Sequence, residues 1–172
     1  MIKDISDTLK NKCEELNFPL PFIHFEPGRS IVQNAACTLY TVGSVKKIEE
    51  LNKIYVAVDG CLADNPQYAL YKRVYDIVNF SANSRNSNDE KTVTVIGKCC
   101  ENGDRLAENI ALKTPLIGDV LCAKNTGAYT FVKSMNYNKM LRPAVLLLKS
   151  DGTIEIMIRR QNYKDLLTPE LN

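Results

Sequence analysis

The stretch Cys99-Cys100-Glu101-Asn102-Gly103-Asp104 sets a thiol beside a carboxylate on a short polar segment. A thiol can hand over a proton and a neighbouring carboxylate can anchor a polar molecule, so Cys100 and Glu101 are equipped for acid–base work on a small ligand. The run Thr92 to Ile96 ahead of them is rich in β-branched residues and closes on Gly97, which predicts a strand ending in a turn. Asn102-Gly103 is expected to supply the positive φ of a sharp reversal. Taken alone, the Cys-Cys pair fits packing better than chemistry, because a free cysteine behaves as a small buried hydrophobe.

Three further corners combine small residues with polar groups. They are Glu26-Pro27-Gly28-Arg29, then Asp64-Asn65-Pro66-Gln67 with Tyr71 following, and Gly127-Ala128-Tyr129. Each by itself also fits a plain structural role: a solvated turn, an Asx-turn, or a tyrosine packed at a barrel corner.

The elements that must position these corners change character along the chain. Ile2, Ile5, Leu9, Cys13 and Leu16 recur at steps of three and four, which predicts one face of a helix ended by Asn17 and Pro19. Pro21 keeps the backbone extended into Phe22-Ile23-His24-Phe25, expected to be a short buried strand with His24 packed against the helix. Ser30 to Ala36 has helical potential. Helix, strand, turn and helix start is the grammar of a parallel α/β sheet or barrel.

From Leu39 onward strands are expected at Leu39 to Val45 and Tyr55 to Val58, separated by a charged turn from Lys46 to Lys53. Asn79 to Glu90 is nearly free of apolar residues and reads as an exposed loop. Gly118-Asp119 introduces a strand at Val120 to Ala123. Pro143 to Leu148, then Ser150-Asp151-Gly152, then Ile154, Ile156 and Ile158 on alternate positions, predict a hairpin with one buried face. Short strands with regular turn signals indicate a β-sandwich or barrel over roughly residues 38 to 160. A lone α/β unit cannot bury its strand on both faces, so the opening segment is expected to be the tail of a larger domain whose beginning is missing.

Composition narrows the function classes. The 172 residues allow one sizeable core plus part of another. With 22 basic and 20 acidic side chains, a net charge of +2, and no Lys/Arg block, no nucleic-acid partner is expected. Six cysteines without a C-x-x-C pair and a single histidine, His24, argue against a structural metal. No apolar run has the length of a signal h-region or a membrane span, so a soluble protein of the reducing cytoplasm is expected.

Taken together and in this order, the corners resemble the C-terminal part of diaminopimelate decarboxylases, members of the pyridoxal-phosphate-dependent ornithine/diaminopimelate/arginine decarboxylase group. The resemblance rests on Glu26-Pro27-Gly28-Arg29, Tyr55-Val56-Ala57-Val58-Asp59-Gly60, Asp64-Asn65-Pro66, Ala69-Leu70-Tyr71 and Gly97 to Asp104. It continues through Gly118-Asp119, Gly127-Ala128-Tyr129, Met135 to Asn138, Arg142-Pro143 and Arg159-Arg160. It covers nearly the whole chain and is specific as a combination. The Cys-Glu-x-Gly-Asp form favours the diaminopimelate branch.

The resemblance implies a mainly β fold like the C-terminal domain of alanine racemase, preceded by the last βα unit of a truncated (β/α)8 barrel. Residues 1–37 would then end the cofactor-binding barrel and residues 38–172 would form the C-terminal β domain. It implies conversion of meso-2,6-diaminopimelate to L-lysine and carbon dioxide by a homodimer using pyridoxal 5'-phosphate. Glu26 would sit at the pyridine nitrogen, with Gly28 and Arg29 at the phosphate and Arg29 also suited to a substrate carboxylate. Cys100 would donate a proton from across the dimer interface and Glu101 would bind the distal ammonium. Tyr71 and Tyr129 would contact substrate, Tyr129 the cofactor as well.

Two departures stand out. Gln67 occupies the position where the family usually has an arginine for a substrate carboxylate, and losing that charged fork costs on the order of 1–3 kcal/mol of binding. No lysine here matches the one that holds the cofactor covalently, so the chain by itself is expected to be inactive. A non-catalytic dimerising β module and a basic amino-acid decarboxylase of altered specificity are the alternative readings.

Overall fold

Alternating apolar and polar side chains along the middle of the chain draw six strands into one sheet. The computed structural model describes residues 2–85 and 88–170. Strands β1 (Thr38–Ile48), β2 (Lys53–Val58), β3 (Ile77–Asn79), β4 (Glu90–Ile96), β5 (Arg105–Lys113) and β6 (Val120–Ala123) lie in the order β3-β6-β1-β2-β4-β5. Tyr40, Val42, Val56, Val58, Tyr75, Val93, Val95, Leu106, Leu112 and Leu121 point inward and form the core.

All neighbours are antiparallel except β2 and β4, which pair in parallel with Val56 opposite Val95. A parallel pair needs a long crossover. The chain from Asp59 to Asp89 provides it, carrying helices α3 (Gln67–Tyr71) and α4 (Phe80–Ser84) as well as β3. Because β2 and β4 run the same way, the corner after β2 and the turn after β4 emerge at the same end of the sheet. Lys98 N donates to Gly60 O there at 3.1 Å.

The two edge strands, β3 and β5, meet through a side chain. Asn79 Nδ2 donates to Lys113 O (3.2 Å) and to Asp119 Oδ2 (2.8 Å), so the sheet is nearly closed into a barrel. Asp119 also accepts from Arg85 Nη2 (2.9 Å) and Leu116 N (2.8 Å). The Arg85 guanidinium holds the buried Asp119 carboxyl down to about 2. A carboxyl whose pKa is lowered by folding adds stability above its ordinary value of about 4 and loses it as pH falls through the folded value. Asp119→Asn is therefore expected to cost about 1–2 kcal/mol at neutral pH and to flatten the loss of stability between about pH 4 and 2. Urea unfolding at several pH values measures this, and an unchanged acid limb would exclude Asp119 as the seam.

The structure corrects several sequence expectations. Helix α1 (Ile2–Glu15) forms and Asn17 ends it at φ 49°. Phe22 to Phe25 is not a strand, however: Phe22 is 99% exposed, and His24 is exposed rather than packed on α1. An apolar run marks a segment that can pair, but a strand exists only through its neighbours, and none flanks it among the described residues. The segment from Ser30 does turn helical, as α2 (Arg29–Val32) followed by a 3-10 turn at Gln33–Ala35.

The charged turn is shorter than expected, since Lys46 to Ile48 extend β1. The expected loop from Asn79 to Glu90 is largely built. Asn79 caps α4 by accepting from Ala82 N (3.0 Å), Ala82 is buried, and β4 begins at Glu90. Polar side chains there serve as caps instead of facing water; Asn86 and Ser87 lie outside the described residues. Strands β7 (Val145–Leu148) and β8 (Ile154–Ile158) form the expected hairpin, but Leu146, Leu148, Ile154 and Ile156 are exposed. Alternation identifies an apolar face without supplying what covers it. A last helix, α5 (Tyr163–Leu167), is started by an Asn162/Asp165 capping box. No described helix is long and apolar enough to cross a membrane.

Candidate functional site

The turn after β4 is built on a buried carboxylate. Asp104 accepts from Cys99 N and Leu62 N, both at 2.6 Å, while Gly97 N donates to Asp104 O at 3.0 Å. A Cβ on Gly97 would lie 2.3 Å from Asp104 Oδ2 and 2.6 Å from the Cys61 Cα, so glycine is the residue that fits. Neither Asn102 nor Gly103 takes a positive φ, contrary to the sequence expectation. The reversal is closed instead by Glu101 N on Cys99 O (2.9 Å) and Asp104 N on Glu101 O (3.0 Å), with the Asp104 side chain holding the loop from beneath.

This turn separates the two cysteines. Cys99 is buried with Cys61, Ala63, Met135 and Met140. Cys100 is exposed, its carbonyl accepting from Asn138 Nδ2 at 3.1 Å. Exposed Glu101 accepts from Tyr137 OH at 2.8 Å, and that bond holds its carboxyl below the usual carboxylate range, charged at neutral pH. Packing therefore explains Cys99, and chemistry is left to Cys100 and Glu101.

In the corner after β2, most polar groups serve the fold. Asp59 accepts from Thr41 N at 2.8 Å, and Asp64 accepts from Cys61 N at 2.9 Å. Burial pushes the Asp64 carboxyl up to about 6. Asn65 Nδ2 donates to Tyr40 OH at 3.1 Å. Gln67 is 1% exposed, and its amide Nε2 donates to Tyr129 O at 3.2 Å. The side chain that marks the departure from the family pattern thus holds the backbone of another candidate residue.

Tyr129 is the centre of the second group. Its φ of 65° is a left-handed conformation that a tyrosine seldom adopts, and the Gln67 bond helps to hold it there. Gly127 lets this loop dock on the first helical turns: Gly127 N donates to Gln33 O at 3.0 Å, and a Cβ would lie 2.0 Å from Val32 O. A Cβ on Gly28 would lie 2.2 Å from Tyr129 Oη. Arg29 Nη1 donates to Ala128 O (3.2 Å), with its guanidinium 5.0 Å from the Tyr129 ring centroid. A cavity of about 420 Å³ opens here, lined by Gly28, Val32, Gly127, Ala128, Tyr129, Phe131 and Val132.

Sequence reasoning missed Lys133, which no motif marks. Its Nζ donates to Tyr71 OH at 3.0 Å and stands 4.3 Å from the Tyr71 centroid and 5.5 Å from that of Tyr129. The fold thus brings together Gly28, Arg29, Gln67, Tyr71 and Tyr129, with Lys133 added. Glu26 is exposed on the extended segment before Gly28. Among the described residues, no hydrogen bond or ring contact joins Cys100 or Glu101 to the Tyr129 group.

Residues 11–127 match the family described as pyridoxal-dependent decarboxylase, C-terminal sheet domain. The chain is 39% identical over 170 residues to the diaminopimelate decarboxylase of Bacillus subtilis (strain 168), covering 99% of this chain and 38% of that protein. To the diaminopimelate decarboxylase of Staphylococcus aureus (strain COL) it is 41% identical over 167 residues, covering 96% and 38%. The structure of the diaminopimelate decarboxylase from M. jannaschii in co-complex with L-lysine is similar with a TM-score of 0.80 at 27% identity, covering 99% of this chain and 38% of that one. The chain therefore spans about 38% of the length of the curated relatives it matches. A nearly closed sheet with paired turns at one end, matched over residues 11–127, places this chain among the pyridoxal-dependent decarboxylases, in their C-terminal sheet-domain family.

Proposed function

We propose that this chain is the C-terminal, substrate-facing part of a diaminopimelate decarboxylase, which converts meso-2,6-diaminopimelate to L-lysine and carbon dioxide in the cytoplasm. In this reading residues 1–37 complete a cofactor-binding barrel and residues 38–172 form the β domain. The observation that carries it is the convergence of Gly28, Arg29, Gln67 and, through Lys133, Tyr71, distant in sequence, on Tyr129, which with Gly28 lines a cavity of about 420 Å³.

The residues present fit pyridoxal phosphate. Gly28 presents bare backbone beside the Tyr129 hydroxyl, and Arg29 adds a cation at the same place, the combination that an anionic phosphate requires. Glu26 is the carboxylate assigned to the ring nitrogen. When bound, the cofactor supplies the electron sink for loss of carbon dioxide. This chain's residues do the rest. Tyr71 and Tyr129 contact the substrate, Gln67 keeps Tyr129 in place, and Glu101, held ionised by Tyr137, receives the distal ammonium. Cys100 delivers a proton from Sγ to the carbon that has lost carbon dioxide. The absence of contact between the Cys100 turn and the Tyr129 group, among the described residues, supports a site shared by two copies in a homodimer.

The test is product formation. The chain is purified with pyridoxal phosphate, alone and together with the part of the Bacillus subtilis enzyme that it does not match, and given meso-diaminopimelate. The chain alone is expected to release neither product, and the two pieces together to release carbon dioxide and L-lysine in equal amounts. Folded, associating pieces that release neither would overturn the reading.

A further inference from the structure

Lys133 stands on a turn that the fold fixes from several sides. Thr130 Oγ1 shares a buried 2.8 Å hydrogen bond with Tyr75 OH. Ser134 N and Oγ donate to Phe131 O at 3.0 and 2.6 Å. Arg142 donates Nη2 to that same carbonyl (3.0 Å) and Nε to Ser134 Oγ (2.7 Å), and Met135 N donates to Ala63 O at 2.8 Å. A half-buried lysine on so constrained a backbone loses little further freedom on meeting a ligand.

The surroundings of Lys133 are aromatic and positive. Its ammonium spends one of three donors on Tyr71 OH and lies over the Tyr71 and Tyr129 rings. Arg29 approaches the same Tyr129 ring. Among the described residues, neither Arg29 nor Lys133 forms an ion pair with a carboxylate. A cation without a counter-charge, half-withdrawn from water against two rings, favours an anion placed beside it. Gln67 adds no charge, and its amide is turned to Tyr129 O inside the protein.

We propose that Lys133 is the carboxylate-binding residue of this site, taking one carboxylate of an amino-acid substrate between Tyr71 and Tyr129. The inference rests on the decarboxylase reading for the identity of the substrate. Lys133 selects acids over their decarboxylated amines, and the Tyr71 hydroxyl orients its ammonium.

Two ligands that differ by a single carboxylate, L-lysine and cadaverine, make the test. Their binding to the full chain, in the preparation with pyridoxal phosphate, is measured by calorimetry for the wild type, Lys133→Met and Lys133→Arg. Lys133→Met is expected to weaken L-lysine about ten- to a hundred-fold, the loss of one charge-assisted contact, and to leave cadaverine within about two-fold. Lys133→Arg should restore most of the L-lysine affinity. Equal losses for both ligands, no loss for either, or no L-lysine binding by the wild type would overturn the proposal. Selective, Lys133-dependent binding of L-lysine, with folded, associating pieces that together release no carbon dioxide from meso-diaminopimelate, would uphold it while overturning the decarboxylase reading.

Discussion

In the proposed assembly of this chain with the part it lacks, Cys100→Ala is expected to lower turnover of meso-diaminopimelate by about a hundred- to a thousand-fold, the contribution of a positioned acid, while the melting temperature stays unchanged. The fold predicts this separation. Cys100 is exposed, and the contact that anchors it, Asn138 Nδ2 to the Cys100 carbonyl, belongs to the backbone and survives the substitution. L-Lysine should bind nearly as before, since its charged groups are assigned to Glu101 and Lys133 and not to the Cys100 thiol. The neighbouring Cys99→Ala should do the opposite. It opens a small gap against Cys61, Met135 and Met140, lowering stability by about 1 kcal/mol and leaving the proton-transfer step alone. Steady-state kinetics with a melting curve for each variant separates the two roles. Unchanged turnover in Cys100→Ala would remove it from the chemistry.

The largest loss of stability is expected from Asp104→Ala. One buried carboxylate accepts two buried backbone N–H groups, from Leu62 and Cys99, and thereby ties the corner after β2 to the turn after β4. Each donor left without an acceptor costs about 1–3 kcal/mol, so a total of roughly 2–4 kcal/mol is expected after partial rescue by water. For a chain of this size that lowers the melting temperature by about 5–15 °C. Gly97→Ala reaches the same bonds by another route, because its methyl would sit 2.3 Å from an Asp104 oxygen and 2.6 Å from the Cys61 Cα. Thermal or urea unfolding of both variants measures the effect. Asp104→Ala within about 0.5 kcal/mol of the wild type would show that the turn holds without its carboxylate.

The residues of the candidate site were legible because their types are unusual for plain turns. Glu26-Pro27-Gly28-Arg29, Asp64-Asn65-Pro66-Gln67, Cys100-Glu101 and Gly127-Ala128-Tyr129 stand out by residue type alone. Lys133 does not, since a lysine four residues after a tyrosine is ordinary sequence and acquires meaning only from the rings that surround it. The resemblance singled out Cys100, but residue type and spacing alone could not divide it from Cys99. Adjacent thiols point to different sides, and which side is the interior depends on what packs there.

By itself the sequence determined the local grammar: the α1 periodicity, the β-branched strands, the turn residues, and the set of chemical groups at the corners. Those features depend on neighbours within a few positions, where side-chain spacing and backbone preference act directly. Only the tertiary structure decided that β2 and β4 pair in parallel, which delivers the corner at Asp59–Gln67 and the turn at Gly97–Asp104 to one end of the sheet. It also decided that Asn79 closes the sheet, that Phe22 to Phe25 stays unpaired among the described residues, and that Gln67 turns inward to Tyr129. Each is a choice of partner across tens of residues. Hydrophobic alternation fixes which face of a strand is apolar, whereas pairing and long-range hydrogen bonds fix what that face meets.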